Sequence, residues 1–493
     1  MVVIMFCAFC ISACFALPAA AQMSGNAGES GGSSSGNSEP PSAPSVGNYS
    51  AAQNPFMGSV PQGQATDEVL QLSFSNVLDR GLKNNLGLLL QSDNTLAARG
   101  QKWKELSALL PNLTTATSEN VAKINLAAQG FRFSGPAFAG IPSVVGPFGF
   151  FDSRIYLKQS VLDLNALYRE RGAAENVKAA EYNYKNARDL VVLAVGNAYL
   201  EALAGDSRVE TADAQLKTAQ SLYEKSEDEQ KAGLVPAIDT LRAQVEMQTR
   251  QQQLIIARNS FEKEKLILGR IIGLPPGQQF ILTEKTPYAP LAGITIEEAE
   301  KRAYASRSDY QAAIQQVRSA QHFRRAARAE HYPTIDINAN FGDSSITIGN
   351  PQAVYQASAT LRFPIFAGNK SHADALEADA ALHQAEQQLD NLRAQIDYEV
   401  RTALLDLQAA ADQVKVAQSS VDLANQELEQ AHDRFAAGVA DNLEVVQAQE
   451  TVAAANEQYI SSLYAHNVSK VELAKAMGFA EQGVRLYLQN RKP

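Results

Sequence analysis

Three carboxylates follow closely on two glycines that interrupt long helical stretches of this sequence. Asp239 comes six residues after Gly233. Glu444 comes six residues after Gly438, with Asp441 between them. We expect each carboxylate near the start of a helix, where the helix dipole favours a negative charge. That alone accounts for them as ordinary helix-terminal acids. Held close to copies of themselves, they would instead repel one another, raise one another's pKa and attract cations.

The other residue types that carry catalysis form no recognisable constellation. The histidines, among them His322, His331, His372 and His383, do not lie in a metal-ligating spacing such as H-E-x-x-H. The sequence also lacks a glycine-rich phosphate-binding loop and a nucleophile elbow. We therefore predict that the protein is not an enzyme and holds neither a metal nor a cofactor.

The start of the chain is typical of a secretory signal peptide, which we place at residues 1–21. Its apolar run ends in three alanines, residues 19–21, a small-residue cleavage site. All three cysteines lie in this segment, so cleavage would leave a mature chain without thiols. An alternative is that residues 11–14 (Ile-Ser-Ala-Cys) form a lipoprotein processing box, with lipid on Cys14.

Composition changes after this segment. Residues 22–66 are rich in Gly, Ser, Asn and Pro, so burial of apolar surface cannot offset the entropy of ordering them. The formal net charge of −10 argues against a nucleic-acid-binding protein, whose binding surface would be basic.

We predict a signal peptide at 1–21, a disordered tail at 22–66, a first repeat at 67–272, a linker at 273–294, a second repeat at 295–478 and a C-terminal tail at 479–493.

One very long helix is predicted in the second half of the chain. Residues 369–437 contain no proline and no glycine, which gives a rod of roughly 100 Å at the helical rise. Small or apolar residues recur there in alternating steps of three and four, a heptad pattern that predicts a coiled-coil seam. The seam comprises Val400, Ala403, Leu407, Ala410, Val414, Ala417, Val421, Ala424, Leu428, Ala431 and Phe435.

The same organisation occurs earlier in the chain. A weaker heptad seam precedes Gly233, and matched residues recur at a constant spacing between the two halves. We therefore predict two copies of one structural unit instead of a solenoid of short repeats. The matched pairs are Gly233 with Gly438, Gln244 with Gln449 and Gly273 with Gly478.

Four segments alternate between apolar and polar residues, as a β-strand with two different faces does. They span residues 113–118, 151–158, 335–341 and 355–363. In the second segment, for example, Ile155 lies on the apolar face. The charges on the polar faces are Asp152, Arg154, Lys158, Asp336 and Arg362.

Alternating strands usually form the half-buried sheet of a soluble protein. Two hairpins alone, however, leave open edges and an uncovered apolar face. A barrel in lipid must close, because unpaired backbone groups are too costly in hydrocarbon. Four strands are too few for a pore, so we predict that several copies of the chain complete one transmembrane barrel with these charges in its lumen. No run of 18 apolar residues follows the signal, so we predict no transmembrane helix.

The order of these elements, from Leu72 to about Met477, resembles that of the TolC-like outer membrane efflux protein family. Residues 363–368 (Phe-Pro-Ile-Phe-Ala-Gly) are similar to the Q-P-L-F-D-G-like run at the family's strand-to-helix junction, and residues 159–163 are a weaker match. Residues 435–438 (Phe-Ala-Ala-Gly), followed by residues 443–446 (Leu-Glu-Val-Val), resemble its hairpin tip.

The resemblance implies a fold that combines α-helices with a transmembrane β-barrel. Three identical chains would each give four strands to a twelve-stranded barrel in the outer membrane, and their long helices would continue it as a tunnel through the periplasm. The implied partners are a periplasmic adaptor protein, an inner membrane transporter and outer membrane lipid, without nucleic acid. The implied function is passive export of small molecules or proteins, in a tripartite pump or a type I secretion system.

The resemblance also assigns roles to the hairpin tips. Acidic residues at the positions of Asp239 and Glu444 form a ring in the family that narrows the periplasmic aperture, and we include Asp441 as a candidate. The turns at Gly233 and Gly438 would be where the adaptor protein docks.

This sequence departs from the family pattern at its second tip. Family members often lock the closed tip with a Tyr before the glycine and an Arg after it, where Phe435 and Ala440 stand here. Gln447 stands where a second ring acid can occur. We therefore expect the closed state to be held by different contacts, or to be held less tightly. The alternative function is that of a secreted coiled-coil structural or adaptor protein of the cell envelope, without a pore.

Overall fold

The computed structural model describes residues 54–130, 142–284, 293–346, 349–350, 352–440 and 442–488. The predicted signal peptide, with Cys14, and the candidate Asp441 lie outside the described residues. The described chain is mostly helical, with one four-stranded and one two-stranded sheet. Its elements are β1 (Leu70–Leu72), α1 (Phe74–Asn84), α2 (Leu86–Ser107), β2 (Asn112–Asn125), β3 (Val144–Leu162), α3 (Leu164–Lys231), α4 (Ala237–Ile272), β4 (Phe280–Leu282), α5 (Ile296–Ser306), α6 (Ser308–Ala329), β5 (Thr334–Ser345), β6 (Gln352–Arg362), α7 (Lys370–Ala436), α8 (Asn442–Ala476) and α9 (Ala480–Leu488).

Two helical rods, α3 with 68 residues and α7 with 67, form the long axis of this architecture. The heptad seam predicted for α7 is confirmed. Most of its members are buried, and Val421, Leu428 and Phe435 are half-buried. Each rod packs against the helix that follows it, so that α3 with α4 and α7 with α8 form two helical hairpins. Small seam residues allow this close approach of the helices.

One stretch of α3 is long and apolar enough to cross a membrane, which no other helix in the described ranges matches. Length and composition are the only grounds for this, and 56% of the stretch is buried inside the protein. α3 contributes Val191, Val195 and Leu200, all buried, to an apolar cluster shared with α1, α4, α8 and α9. This burial explains the apolar composition as that of a core helix.

Apolar residues at helical spacing predict one helix over residues 72–110, and a capping box at Thr295 and Glu298 predicts another that continues to about His331. Both helices are divided in the structure. The helix expected over residues 72–110 breaks at Asn85, and the one expected from Thr295 to about His331 breaks at Arg307. Both residues have an extended backbone between two helices. The Asn85 side chain caps α2 by accepting the Gly87 N–H at 2.9 Å. Apolar periodicity continues across such a break, so it did not reveal the polar residue that ends the helix.

The four predicted strands are confirmed as one antiparallel sheet in the order β2-β3-β5-β6. They extend further than the alternating segments, most of all β3, which has 19 residues. Pairing carries each face continuously across the sheet. One row of neighbours is Ser118, Asp152, Ser344 and Gln352, and a row on the opposite face is Thr115, Ile155, Phe341 and Tyr355.

A second, parallel strand pair was not predicted. β1 and β4 have three residues each, too few for an alternating pattern to be recognised. β4 lies within the region we expected to be a linker, and it ties that region to the start of the first half.

Parts of both predicted tails contact the body of the protein. Phe56 packs against the apolar cluster of α1 and α3, and the Val60 N–H donates to the Asn84 carbonyl at 2.9 Å. Residues 479–493 were predicted to be a C-terminal tail, yet α9 forms there and buries Ala480 and Val484. Unlike these buried apolar side chains, the indole of Trp103 on α2 is 66% exposed.

Candidate functional site

The ends of the two hairpins turn at the two glycines that the sequence analysis selected. Gly233 has φ +74° and Gly438 has φ +71°, a left-handed conformation that favours glycine. A Cβ at either position would meet no atom within 4 Å, so backbone conformation is the reason for glycine there. In both turns the residue after glycine donates its N–H back to the rod: Leu234 to the Glu229 carbonyl at 2.9 Å, and Val439 to the Arg434 carbonyl at 3.0 Å.

Two of the three candidate carboxylates lie beside these turns, in the first turns of α4 and α8. Each has an arginine partner. Arg242 Nη1 lies 3.4 Å from Asp239 Oδ1, and Arg434 Nε lies 3.0 Å from Glu444 Oε1. The second pair joins the end of α7 to the start of α8 and therefore fastens the turn at Gly438.

The structure also brings the two hairpin ends together. A small apolar cluster contains Leu222 of α3, Ala243 of α4, Ala431 of α7 and Val445 of α8. Phe435 is half-buried against this cluster. Its ring also lies 5.3 Å from the Lys225 ammonium of α3, a cation–π contact between the hairpins.

Three tip residues could not be identified from the sequence: Arg242, Arg434 and Lys225. Arg434 was overlooked because the family pattern places its arginine after the glycine, whereas here the cation comes before it. Lys225 carried no motif at all, because its contact with Phe435 depends on how two distant helices are placed. The charge at Arg434, one turn before Gly438, was the available signal.

The five predicted lumen charges share one face of the large sheet. Arg154 Nη2 lies 2.7 Å from Asp152 Oδ2, and Arg154 Nη1 donates to Asn340 Oδ1 at 3.3 Å. Lys158 is opposite Asn338, Asp336 is opposite Ser160 and Thr360, and Arg362 is opposite Thr334. The register therefore lines this face with charged, amide and hydroxyl side chains.

The other face of the sheet exposes large apolar side chains. Leu113, Ile155, Phe341, Tyr355 and Leu361 are each more than half exposed. A sheet in water normally covers such a face, and an exposed apolar surface of this kind marks contact with protein or membrane.

A charged cluster holds the body of the second half. Arg307, almost fully buried, donates to Asp309 Oδ2 at 2.6 Å and to Glu399 Oε2 at 2.7 Å. Lys475 Nζ also lies 3.0 Å from Glu399 Oε2. Burial alone would raise the pKa of Glu399, but the hydrogen bonds and charges of Arg307 and Lys475 outweigh it and lower this pKa to about 2.

Among the described residues, no group of three or more His, Cys, Asp or Glu is placed to hold a metal ion.

Comparisons with known proteins agree on one family. The family model for the outer membrane efflux protein matches residues 156–274 and 300–479. The pyoverdine export outer membrane protein OpmQ of Pseudomonas aeruginosa is 26% identical over 332 residues, which cover 64% of this chain and 67% of OpmQ. The outer membrane protein TolC of Vibrio cholerae is 22% identical over 438 residues, 87% of this chain and 96% of TolC.

Solved structures show the same fold. The Campylobacter jejuni CmeC outer membrane channel superposes with a TM-score of 0.70 at 18% identity, covering 92% of this chain and 98% of CmeC. VceC of Vibrio cholerae superposes with a TM-score of 0.69 at 18% identity, covering 82% and 96%. Since the family model matches more than half of its residues, this chain belongs to the outer membrane efflux protein family.

Proposed function

We propose that the protein is the exit duct of a tripartite efflux pump or a type I secretion system. It would let small molecules or proteins pass passively from a periplasmic tunnel to the outside of the cell, without catalysis. The observation that supports this most directly is the large sheet, with a charged face opposite an exposed apolar face. That arrangement suits a barrel with water inside and lipid outside.

The edges of this sheet support a barrel that is completed by other copies of the chain. β2 and β6, with 14 and 11 residues, pair on one side only within the described chain. Unpaired backbone groups are not tolerated in hydrocarbon, so both edges must find partners. Three copies would place β6 of each chain beside β2 of the next and close twelve strands. Strands of about 9–11 residues already span the membrane core when tilted.

The proposed duplication is supported by matching elements. α1 and α5 both have 11 residues, and α2 and α6 both have 22. The second helices of the two hairpins, α4 and α8, have 36 and 35 residues. A matched hydrogen bond closes each half: the Leu274 N–H donates to the Gly269 carbonyl, and the Phe479 N–H donates to the Ala474 carbonyl. We infer that each half supplies two strands and one helical hairpin.

We assign the periplasmic aperture to the hairpin tips. Three copies of Asp239 and Glu444 around one axis would form acidic rings that attract cations. The pairs with Arg242 and Arg434, and the contact of Lys225 with Phe435, would hold the closed state in place of the Tyr and Arg of other family members. The turns at the tips are where a periplasmic adaptor protein would dock, and an inner membrane transporter would complete the assembly.

The class of exported molecule is left broad because the relatives differ. OpmQ is named for pyoverdine export, and AprF of Pseudomonas aeruginosa, 22% identical over 318 residues, is named for alkaline protease secretion. A small molecule and a protein are thus both represented among proteins of similar sequence.

Conductance of the detergent-purified protein in a planar bilayer, together with its oligomeric mass, tests the proposed function. We expect discrete channels from a trimer. A protein that is soluble without detergent and conducts no current would overturn the channel and favour the coiled-coil adaptor.

The aperture is tested by removing one ring of charge in the same assay. We expect Glu444→Gln to change the single-channel conductance or its block by multivalent cations. Glu427→Gln, which removes an exposed carboxylate of α7 at 11 residues before Gly438, is the matched control. Equal behaviour of the two variants would contradict the assignment of Glu444 while leaving the channel intact.

A further inference from the structure

A cavity of about 610 Å³ lies between the two hairpins, away from their tips. It is lined by residues of α3, α4, α7 and α8, so it exists only where the two halves of the chain meet. Its volume falls in the range of about 300–1,000 Å³ that is usual for small-molecule sites.

One side of this cavity is apolar. Ile460 and Leu463 of α8 are buried there, and Leu428 and Val452 are half-buried beside them. Such a surface would bind the apolar part of a ligand through removal of that surface from water.

Three polar side chains around the cavity already donate hydrogen bonds to the backbone of their own helices. The hydroxyls of Ser207 and Thr218 donate to the carbonyls of Leu203 and Ala214, each at 3.1 Å. Asn456 Nδ2 likewise donates to a backbone carbonyl of α8 at 2.9 Å. These groups therefore have little capacity left to select a ligand.

Gln449 is different. Its side chain lines the cavity and is only 6% exposed, yet neither Oε1 nor Nε2 has a hydrogen-bond partner among the described residues. A buried amide left without partners is costly, so such a group calls for an explanation. The matched residue in the first half, Gln244, is half-buried and lines neither this cavity nor its neighbour.

Two charged residues line the cavity, Glu210, which is exposed, and Arg250, whose charge is balanced within the protein. Arg250 lines the cavity, but its Nε lies 2.5 Å from Glu246 Oε1, and its Nη1 donates to Gln253 Oε1 at 2.9 Å. This ion pair is buried and balances its own charge. The unmet hydrogen-bonding capacity at Gln449 is thus that of a neutral amide, one donor group beside one acceptor.

We propose that this cavity binds a small uncharged amphiphile that carries a carboxamide or a lactam. Its amide pairs with the side-chain amide of Gln449, and its apolar body lies against Ile460 and Leu463. A second cavity of about 710 Å³ shares Thr211, Gln215 and Arg250 with the first, so a longer molecule has room to extend along α3. The site lies between helices and does not depend on a pore.

Ligand-observed NMR on the detergent-purified full chain tests this site, with benzamide as the probe. Benzamide presents a donor and an acceptor beside an apolar ring, whereas benzoate presents only acceptors and benzylammonium only donors. We expect benzamide to bind more tightly than either ion. Gln449→Leu keeps the side-chain volume and should weaken benzamide binding roughly tenfold or more. Gln244→Leu, at the matched position, should leave it unchanged.

A second variant guards against a folding defect. Ala214 lines the cavity from an exposed position, so Ala214→Phe should obstruct part of the cavity and weaken benzamide binding while Gln449 itself is unchanged. The proposal is overturned if benzamide does not bind at its solubility limit, if Gln449→Leu binds it as well as the parent chain, or if benzylammonium binds equally well. Ordered water as the only occupant of the cavity in a high-resolution structure with benzamide would overturn it too.

Discussion

The two halves of the chain build the same helical joint from different chemistry. In the first half, α1 meets α2 at Asn85, and Asn84 Nδ2 donates to the Ile272 carbonyl at 3.2 Å, one residue before Gly273. We call this the first joint. In the second half, α5 meets α6 at Arg307, whose Nη1 donates to the Ala476 carbonyl at 3.4 Å, close to Gly478. This is the second joint.

The comparison separates what the backbone requires from what the side chains add. Both joints need an extended residue between two helices and a left-handed glycine, with φ +74° at Gly273 and +76° at Gly478. At the first joint, the neutral side-chain amides of Asn84 and Asn85 form the hydrogen bonds to the backbone. The second uses Arg307, Asp309, Glu399 and Lys475, all charged. Charges removed from water stabilise only while every partner is present, so the second joint is the more sensitive to substitution and to pH.

Substitution of the glycines should give the largest difference in stability between the two joints. A Cβ at Gly478 would lie 2.6 Å from the Arg307 backbone nitrogen, whereas at Gly273 it would lie 2.7 Å from the Asn84 side-chain Cβ. Three backbone atoms would lie within 3.0 Å of the added carbon at Gly478, whereas only the Asn84 Cβ would do so at Gly273. We expect Gly478→Ala to lower the free energy of unfolding by about 3 kcal/mol or more, and Gly273→Ala by somewhat less.

Gly233→Ala is the control for this pair. It has the same left-handed conformation without a neighbour within 4 Å, and should cost only about 1–2 kcal/mol. Thermal unfolding in detergent, at one protein concentration, gives the order. Equal shifts for all three variants would mean that close packing at the joints contributes nothing.

Removing one partner of each joint is the next test. Glu399→Gln leaves Arg307 and Lys475 without their shared carboxylate, and should cost about 3 kcal/mol because a buried charge loses compensation. Asn84→Ala removes a single neutral hydrogen bond and should cost about 1 kcal/mol. The same unfolding measurement compares them, and a larger loss for Asn84→Ala would reverse our ranking of the two joints.

The joints should also differ in acid. The pKa of Glu399 is lowered to about 2 from 4.5, so its ionised form is favoured by folding. This contribution is complete above about pH 4.5 and is lost as the pH falls towards 2. We expect the melting temperature of the parent chain to fall over this range more steeply than that of Glu399→Gln. Parallel curves would show that Glu399 is not linked to folding in this way.

The smallest effect is expected at the hairpin tip. Arg434 and Glu444 form an ion pair of two well-exposed side chains, and such pairs contribute less than about 1 kcal/mol. Arg434→Gln should therefore change the melting temperature little compared with either joint variant. A loss as large as that of Glu399→Gln would show that the tip is a structural element as well as the proposed gate.

Much of this architecture could be predicted from the sequence because it repeats with a period. The heptads of α7 and the alternation in β3, β5 and β6 extend over enough residues to identify each element and its two faces. The breaks at Asn85 and Arg307 could not be predicted, because apolar periodicity continues through them. β1 and β4 were missed because three residues do not establish a period.

The functional residues divide in the same way. The charged face of the sheet follows from alternation, and the tip glycines follow from the matched spacing of the two halves. The partners of the tip acids, Arg242 and Arg434, needed the turn geometry. The cavity at Gln449 was not predictable, because its lining comes from four helices that are far apart in the chain.

The exposed indole on α2 gives this protein an optical reporter. Trp103 is the single tryptophan of the sequence and is 66% exposed, so intrinsic emission comes from one known place on the surface. Whatever covers that helix face, whether lipid, detergent or a neighbouring chain, would shift the emission to shorter wavelength and shield it from a soluble quencher. Assembly could thus be followed in real time without attaching a dye.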